Sequence, residues 1–208
     1  ANNCVVYSEL PYFKEYKDRS VLIVGGGPSV KDFDYDSVSY DYIWSCNHFF
    51  LNPRLSKRKV DLAMILREVD PYDQRLLKYK NEFSPYVGYE CQDEWANYEF
   101  PEYDKHFGMH TKFYSKLGIG PRMILFAAAL GCSNIKFVGF DGYKFMKEGN
   151  HAFQPGKTTV PHGMTAKLFS DQYQFFWSYA QHIFKDTVFE NLGYGEELHA
   201  SIKQKPQT

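Results

Sequence analysis

The chain has 208 residues, 44% apolar and 24% charged, with a formal net charge of −1. That length holds one domain with a substantial core but not two full domains. The near-neutral balance excludes a general electrostatic attraction to nucleic acid or membrane and leaves room only for a local basic patch. Aromatic residues make up 18%, nearly all Tyr or Phe, a density that fits a polar carbohydrate-like or nucleoside-like ligand and fits a thick core equally well.

In chain order, residues Ala1 to Arg19 read as a lead-in packed on the outside. Val21-Leu22-Ile23-Val24 is the length of a buried parallel strand and empties into Gly25-Gly26-Gly27-Pro28-Ser29. These glycines allow a sharp turn and a close approach to a bound group. If a helix turn follows Ser29, its free N–H groups and positive dipole end face an anion. Tyr40 to Cys46 reads as a second strand with Asn47-His48-Phe49-Phe50 at its carboxyl end, and Val60 to Leu66 as a third. Between these two, Arg54 to Lys59 reads as a polar turn. Asp70-Pro71 has the form of an N-cap with Pro at the first helical position, opening a helix to about Asn81. Ser84 to Cys91 reads as a short strand, and Gln92 to Lys116 has no period and is expected to be irregular and substrate-facing.

Gly120-Pro121 opens an apolar helical run closed by Gly131, followed by a core strand over Asn134 to Phe140 that ends at Asp141-Gly142-Tyr143. A polar lid loop is expected over about 144–161, a long amphipathic helix from about Met164 to Lys185, a strand over Thr187 to Asn191 and a frayed tail after Gly193. Strands alternating with helices predict a Rossmann-like parallel α/β sheet flanked by helices, one domain over 1–208. In such a sheet the ligand sits beyond the carboxyl ends of the strands. Four segments should therefore converge: Gly25–Ser29, Asn47, the turn before Gly120, and Asp141–Tyr143.

Cys4, Cys46, Cys91 and Cys132 stand far apart with no C-x-x-C pair, which excludes a disulfide framework or zinc site. Cys46 and Cys132 are expected as buried free thiols. No signal peptide or transmembrane segment is read, which predicts a reducing, cytoplasmic setting.

The glycine turn does not match a dinucleotide fingerprint, because Val30 stands at the third glycine position and Asn47 where a ribose-binding acid belongs. No G-K-[ST] follows, so it is not a Walker loop; a phosphate turn of another type and a plain tight turn remain. Asn47 is either a neutral ligand contact or a loop cap. His48 reads as structural. Asp141 is able to accept from a sugar hydroxyl or an exocyclic amine, and no paired carboxylate beside it suggests a metal. Asp32, Asp34 and Asp36 read as a solvated turn. His162, in V-P-H-G-M, is either a general base or a helix-entry residue without chemistry. Arg54, Lys57, Arg58 and Lys59 form a basic cluster that is either solvated or in contact with an anionic acceptor.

Taken together, V-L-I-V-G-G-G-P-S-V-K-D-F-D-Y, W-S-C-N-H-F-F, G-P-R-M-I-L-F-A-A-A-L-G-C-S-N-I-K-F-V-G-F-D-G-Y and H-G-M-T resemble segments of the bacterial lipooligosaccharide sialyltransferases. The resemblance runs in order from about Val21 to Ala180. It extends more distantly to the motility-associated-factor-type glycosyltransferases and archaeal pterin pyrophosphokinases. It implies a metal-independent transfer of a sugar from a CMP-linked, or another nucleotide-linked such as UDP-linked, donor to an acceptor hydroxyl on a glycan. On this resemblance Gly25, Gly27 and Ser29 would hold the donor's phosphate and ribose. Gly26 stands where the family has Asn. Asn47 would contact the donor and Asp141 would sit by the nucleoside, with Gly120 joining the binding residues through its place at the strand ends. Tyr143 would donate to the departing phosphate, His151 stands where the family has a second such tyrosine, and His162 would take the acceptor proton. No cofactor or metal is implied beyond the donor itself. The alternatives left open are a modified base in DNA as acceptor, a pterin pyrophosphokinase-like phosphoryl transfer, and a nucleotide-binding domain without chemistry. The oligomeric state, including a homo-oligomer, is also open.

Overall fold

The computed structural model describes residues 5–6, 11–90, 100–109, 117–142, 151–157 and 163–202. Tyr143, His162, Cys4, Cys91 and most of the expected lid loop lie outside the described residues.

The strands are β1 (Val5–Val6), β2 (Ser20–Val24), β3 (Tyr42–Cys46), β4 (Leu62–Ile65), β5 (Tyr86–Glu90), β6 (His106–Met109), β7 (Asn134–Val138) and β8 (Val188–Asn191). All seven pairings are parallel, in the order β1-β6-β5-β4-β3-β2-β7-β8. From β2 the chain moves outward through β3, β4, β5 and β6, then returns to place β7 on the other side of β2 and β8 beyond it. The strand order reverses at β2, so a crevice opens between the carboxyl ends of β2 and β7. This is the Rossmann-like α/β architecture expected from the sequence.

Central burial follows from residue type. Val21, Leu22, Ile23 and Val24 are fully buried, as are the four residues of β4. Strand alternation sends Val21 and Ile23 into one core and Leu22 and Val24 into the other. The first core is roofed by α2 (Ile119–Ala129) and α3 (Ala166–Ile183), the second by α1 (Gln74–Phe83). α2 is apolar almost all round and is buried accordingly, ending as expected at Gly131 in the left-handed region. α3 buries Tyr173, Phe176, Trp177 and Ala180, an i, i+3, i+4, i+7 stripe, and Thr165 caps its first turn by accepting from the Leu168 N–H.

Four expectations are corrected. The lead-in is not an outer layer: Pro11–Tyr16 is a 3-10 turn that buries Phe13 and Tyr16, and Trp44 Nε1–H donates to Tyr16 Oη at 3.0 Å. α1 begins after Asp73, whose carboxylate accepts from the Arg75 N–H, because Asp70 is spent on the Tyr72 N–H in a turn of its own. The stretch read as irregular contains a fully buried strand, β6. The tail is packed rather than frayed through residue 202: it forms α4 (Glu196–His199), which buries Leu198 and His199. Among the described residues no helix is long and apolar enough to cross a membrane.

Candidate functional site

A cleft of about 430 Å³ opens at the carboxyl ends of β2, β3, β4 and β7. Gly25, Gly26, Gly27, Asn47, Gly120, Asp141 and His151 all line it. The four segments that topology predicted to converge do so, up to the boundary of the described residues after Gly142.

The glycine turn is held by its neighbour strand. Gly25 N–H donates to Val138 O and Gly27 N–H to Gly139 O, both at 2.8 Å. A Cβ on Gly27 would stand 2.5 Å from Asp141 Oδ2 and 2.7 Å from Gly139 O. The missing side chain thus lets the β2 turn lie directly on the β7 turn. The turn continues into a single 3-10 turn, Pro28–Val30, not a longer helix. Ser29 N–H donates to Asp141 Oδ2 at 2.8 Å and Ser29 Oγ–H to Asp141 Oδ1 at 2.7 Å, while Gly139 N–H donates to Ser29 Oγ. Asp141 is buried and accepts a further bond from the Tyr194 N–H. Asp141 and Ser29 therefore engage one another and the backbone, fastening β2, β7 and the C-terminal segment together. A donor terminus of the kind expected after Ser29 is provided instead by α2. Its first residues, Gly118, Ile119 and Gly120, line the cleft, and Gly118 brings no side-chain cap to their N–H groups. Gly120 also leaves the space that the Phe140 ring fills.

Asn47 combines the two readings given to it. Its backbone is left-handed, at φ +48°, and its Oδ1 accepts from the Leu66 N–H at 2.9 Å, tying the ends of β3 and β4. That bond fixes the amide orientation and leaves Nδ2 with its two hydrogens unpaired among the described residues. His48 also lines the cleft, and its Nδ1 is buried without a partner. Burial, then the charge of Lys157, lowers its basicity. A neutral imidazole that leaves only an acceptor unpaired costs less than one that buries an unpaired N–H, so its proton sits on Nε2.

His151 rests over the glycine turn: the Ala152 N–H donates to Gly26 O at 2.8 Å, and a Cβ on Gly26 would meet the His151 ring. Burial, then Lys157, lowers the basicity of this imidazole as well. Lys157 Nζ lies 3.2 Å from Glu68 Oε2, in the loop after β4, and 3.3 Å from Gln154 Oε1. The thiol of Cys46 lies at the cleft with its pKa pushed up to about 12 by burial, so it stays protonated and unreactive near neutrality. Among the described residues no group of three or more His, Cys, Asp or Glu is placed to hold a metal ion.

The basic cluster is largely paired off. Arg58 binds Asp36 and lies over the Tyr35 ring, Lys59 faces Asp61 at 3.8 Å, and Arg54 donates to Phe33 O. The sequence reading missed Glu68, Gln154 and Lys157 and gave His48 no ligand role. The Tyr12, Phe13 and Tyr16 spacing, i, i+1 and i+4, was a legible sign of the buried lead-in.

Fold and cleft together define a Rossmann-like α/β protein with a cleft at its topological switch point. No protein-family model matches the chain, and no curated protein matches it.

Proposed function

We propose that this chain is a glycosyltransferase that moves a sugar from a nucleotide-activated donor to an acceptor hydroxyl on a glycan, without a metal. The observation that carries the reading is the meeting of Gly25–Gly27, Asn47, Gly120 and Asp141 around one cleft at the switch point. The free donors there are neutral: the Asn47 amide, the uncapped start of α2 and the His48 Nε2–H. Such groups suit a phosphate ester whose charge grows as its bond to the sugar breaks.

In this reaction the acceptor oxygen forms a bond to the anomeric carbon as the bond from that carbon to the phosphate oxygen breaks. The electron pair leaves with the nucleotide, and the acceptor proton passes to His162. Tyr143 and His151 donate hydrogen bonds to the departing phosphate. The roles of His162 and Tyr143 rest on the resemblance of their sequence segments, and that of His151 also on its place over Gly26. The CMP-linked donor is favoured by the same resemblance.

The test is nucleotide release from a panel of nucleotide sugars, offered with glycan acceptors and with DNA, in the presence and absence of EDTA. Release is expected to persist in EDTA and to fall by about a hundredfold or more in His162→Ala, the range of general base catalysis. Absence of binding and turnover with every nucleotide sugar overturns the reading. Binding without turnover replaces it with a nucleotide-binding domain.

A further inference from the structure

The cleft's charges are unevenly placed for an anionic ligand. The charged side chains that line it are carboxylates, Glu68 and Asp141. Asp141 is buried and engaged by Ser29 and Tyr194. Glu68 is different: its side chain is 31% exposed and its ionic partner is Lys157, whose own side chain is 22% exposed. A pair open to solvent to this degree adds little to stability, so exchanging its partners costs little.

Lys157 closes residues 151–157 over the glycine turn. At one end the Ala152 N–H holds Gly26 O; at the other the ammonium holds Glu68 and the Gln154 side chain. Lys157 does not itself line the cleft, but both of its side-chain partners, Glu68 and Gln154, do, and its charge lowers the basicity of His48 and His151. His48 adds an Nε2–H with no partner among the described residues. A carboxylate held by this ammonium, in the same cleft as the His48 imidazole, occupies the position an anionic oxygen would take.

We infer that Lys157 is the anion-binding cation of this cleft, that Glu68 is its resting partner and an internal competitor, and that a ligand phosphate displaces Glu68 from it. The inference rests on the nucleotide-binding reading above and assigns the contact that recognises the phosphate. When the phosphate arrives, the ammonium turns from Glu68 to the ligand oxygens, and the His48 Nε2–H adds a neutral hydrogen bond. Segment 151–157 thereby remains closed over a filled cleft. Glu68 limits affinity in two ways, by holding Lys157 and by repelling the anion.

Calorimetric titration of the full chain with CMP and with cytidine tests this. Lys157→Gln is expected to weaken CMP binding about tenfold, equivalent to about 1.4 kcal/mol, and to leave cytidine binding unchanged. Lys157→Arg is expected to retain CMP affinity, and Glu68→Gln to increase it several-fold. Both sites are at the rim, and a thermal melt of each variant verifies its fold. Equal CMP affinity in Lys157→Gln and the parent overturns the inference, as does parallel loss of CMP and cytidine. If the parent binds neither compound, the CMP form of the reading falls, and thermal shift by inorganic phosphate decides the inference by itself. Stabilisation that is greater in Glu68→Gln and lost in Lys157→Gln sustains it; equal responses in all three proteins overturn it.

Discussion

Asp141 brings only acceptors to its surroundings, and it takes a donor from each of two other segments. Ser29 supplies its N–H and its hydroxyl, and Tyr194 supplies an N–H, so three bonds converge on one buried carboxylate. Replacing it by Asn keeps the shape but turns one acceptor into an NH₂ that must face a donor. Asp141→Asn is therefore expected to lower stability by about 2–3 kcal/mol, read from urea unfolding, since a charge-assisted bond is lost and a buried donor is left unmatched. The sequence showed Asp141 at the end of a core strand, which is why it was legible as a site residue. That it is held by Ser29 was not legible, because the two are 112 residues apart and nothing local marks the pairing.

At the level of elements, α1 and β6 meet around an unusual pair. Lys80 on α1 is buried, with Nζ 3.2 Å from His106 Nε2 and 4.3 Å from the centre of the Tyr103 ring, and among the described residues no carboxylate pairs with it. Burial lowers the Lys80 pKa to about 8, and burial followed by the Lys80 charge lowers that of His106 to about 3. His106 thus stays neutral and accepts from the Lys80 ammonium. For both groups the unfolded chain binds more protons than the folded chain between the two pKa values, so stability rises with pH there. Lys80 contributes a penalty that is full below about pH 8 and fades by about pH 10.5, its ordinary value. Lys80→Met is expected to stabilise the protein by about 2–3 kcal/mol at pH 7, with the gap closing as pH approaches 10 in denaturant titrations. The same pair accounts for a strand the sequence hid. β6 reads His-Phe-Gly-Met, with neither alternation nor a β-branched residue, so its pairing with β1 and β5 and its burial reveal it. By contrast β2, β3, β4 and β7 carry apolar runs bounded by turns, and they were legible to within two residues at each end.

For the molecule as a whole, the C-terminal segment braces two residues of the cleft, Phe140 and Asp141, without lining it. Trp177 Nε1–H donates to His199 Nδ1 at 3.1 Å, which puts the remaining imidazole proton on Nε2, and that proton is donated to Phe140 O. Phe140 in turn lines the cleft. Ending the chain after Leu192 removes Leu198, His199 and the Tyr194 bond to Asp141. It is expected to cost about 4 kcal/mol or more of unfolding free energy, exposing the Trp177 indole to a shift in fluorescence. The general position of the cleft was readable from strand order alone. Its second wall was not, because Glu68 and Gln154 sit on separate loops with no shared motif.

The return of the chain to β2 has a further consequence, for the order in which the protein forms. β2 pairs with β3 on one side and with β7 on the other, and the residues that seal its turn arrive 112 positions later. A nascent chain that ends before Asn134 therefore holds β2, apolar from Val21 to Val24, as an open edge. Such long-range parallel pairing is slow. The cleft cannot exist until the last core partner of β2 has docked, so its closure should appear only with the slowest phase of refolding, and a chaperone that shields strand edges should raise the yield of folded protein.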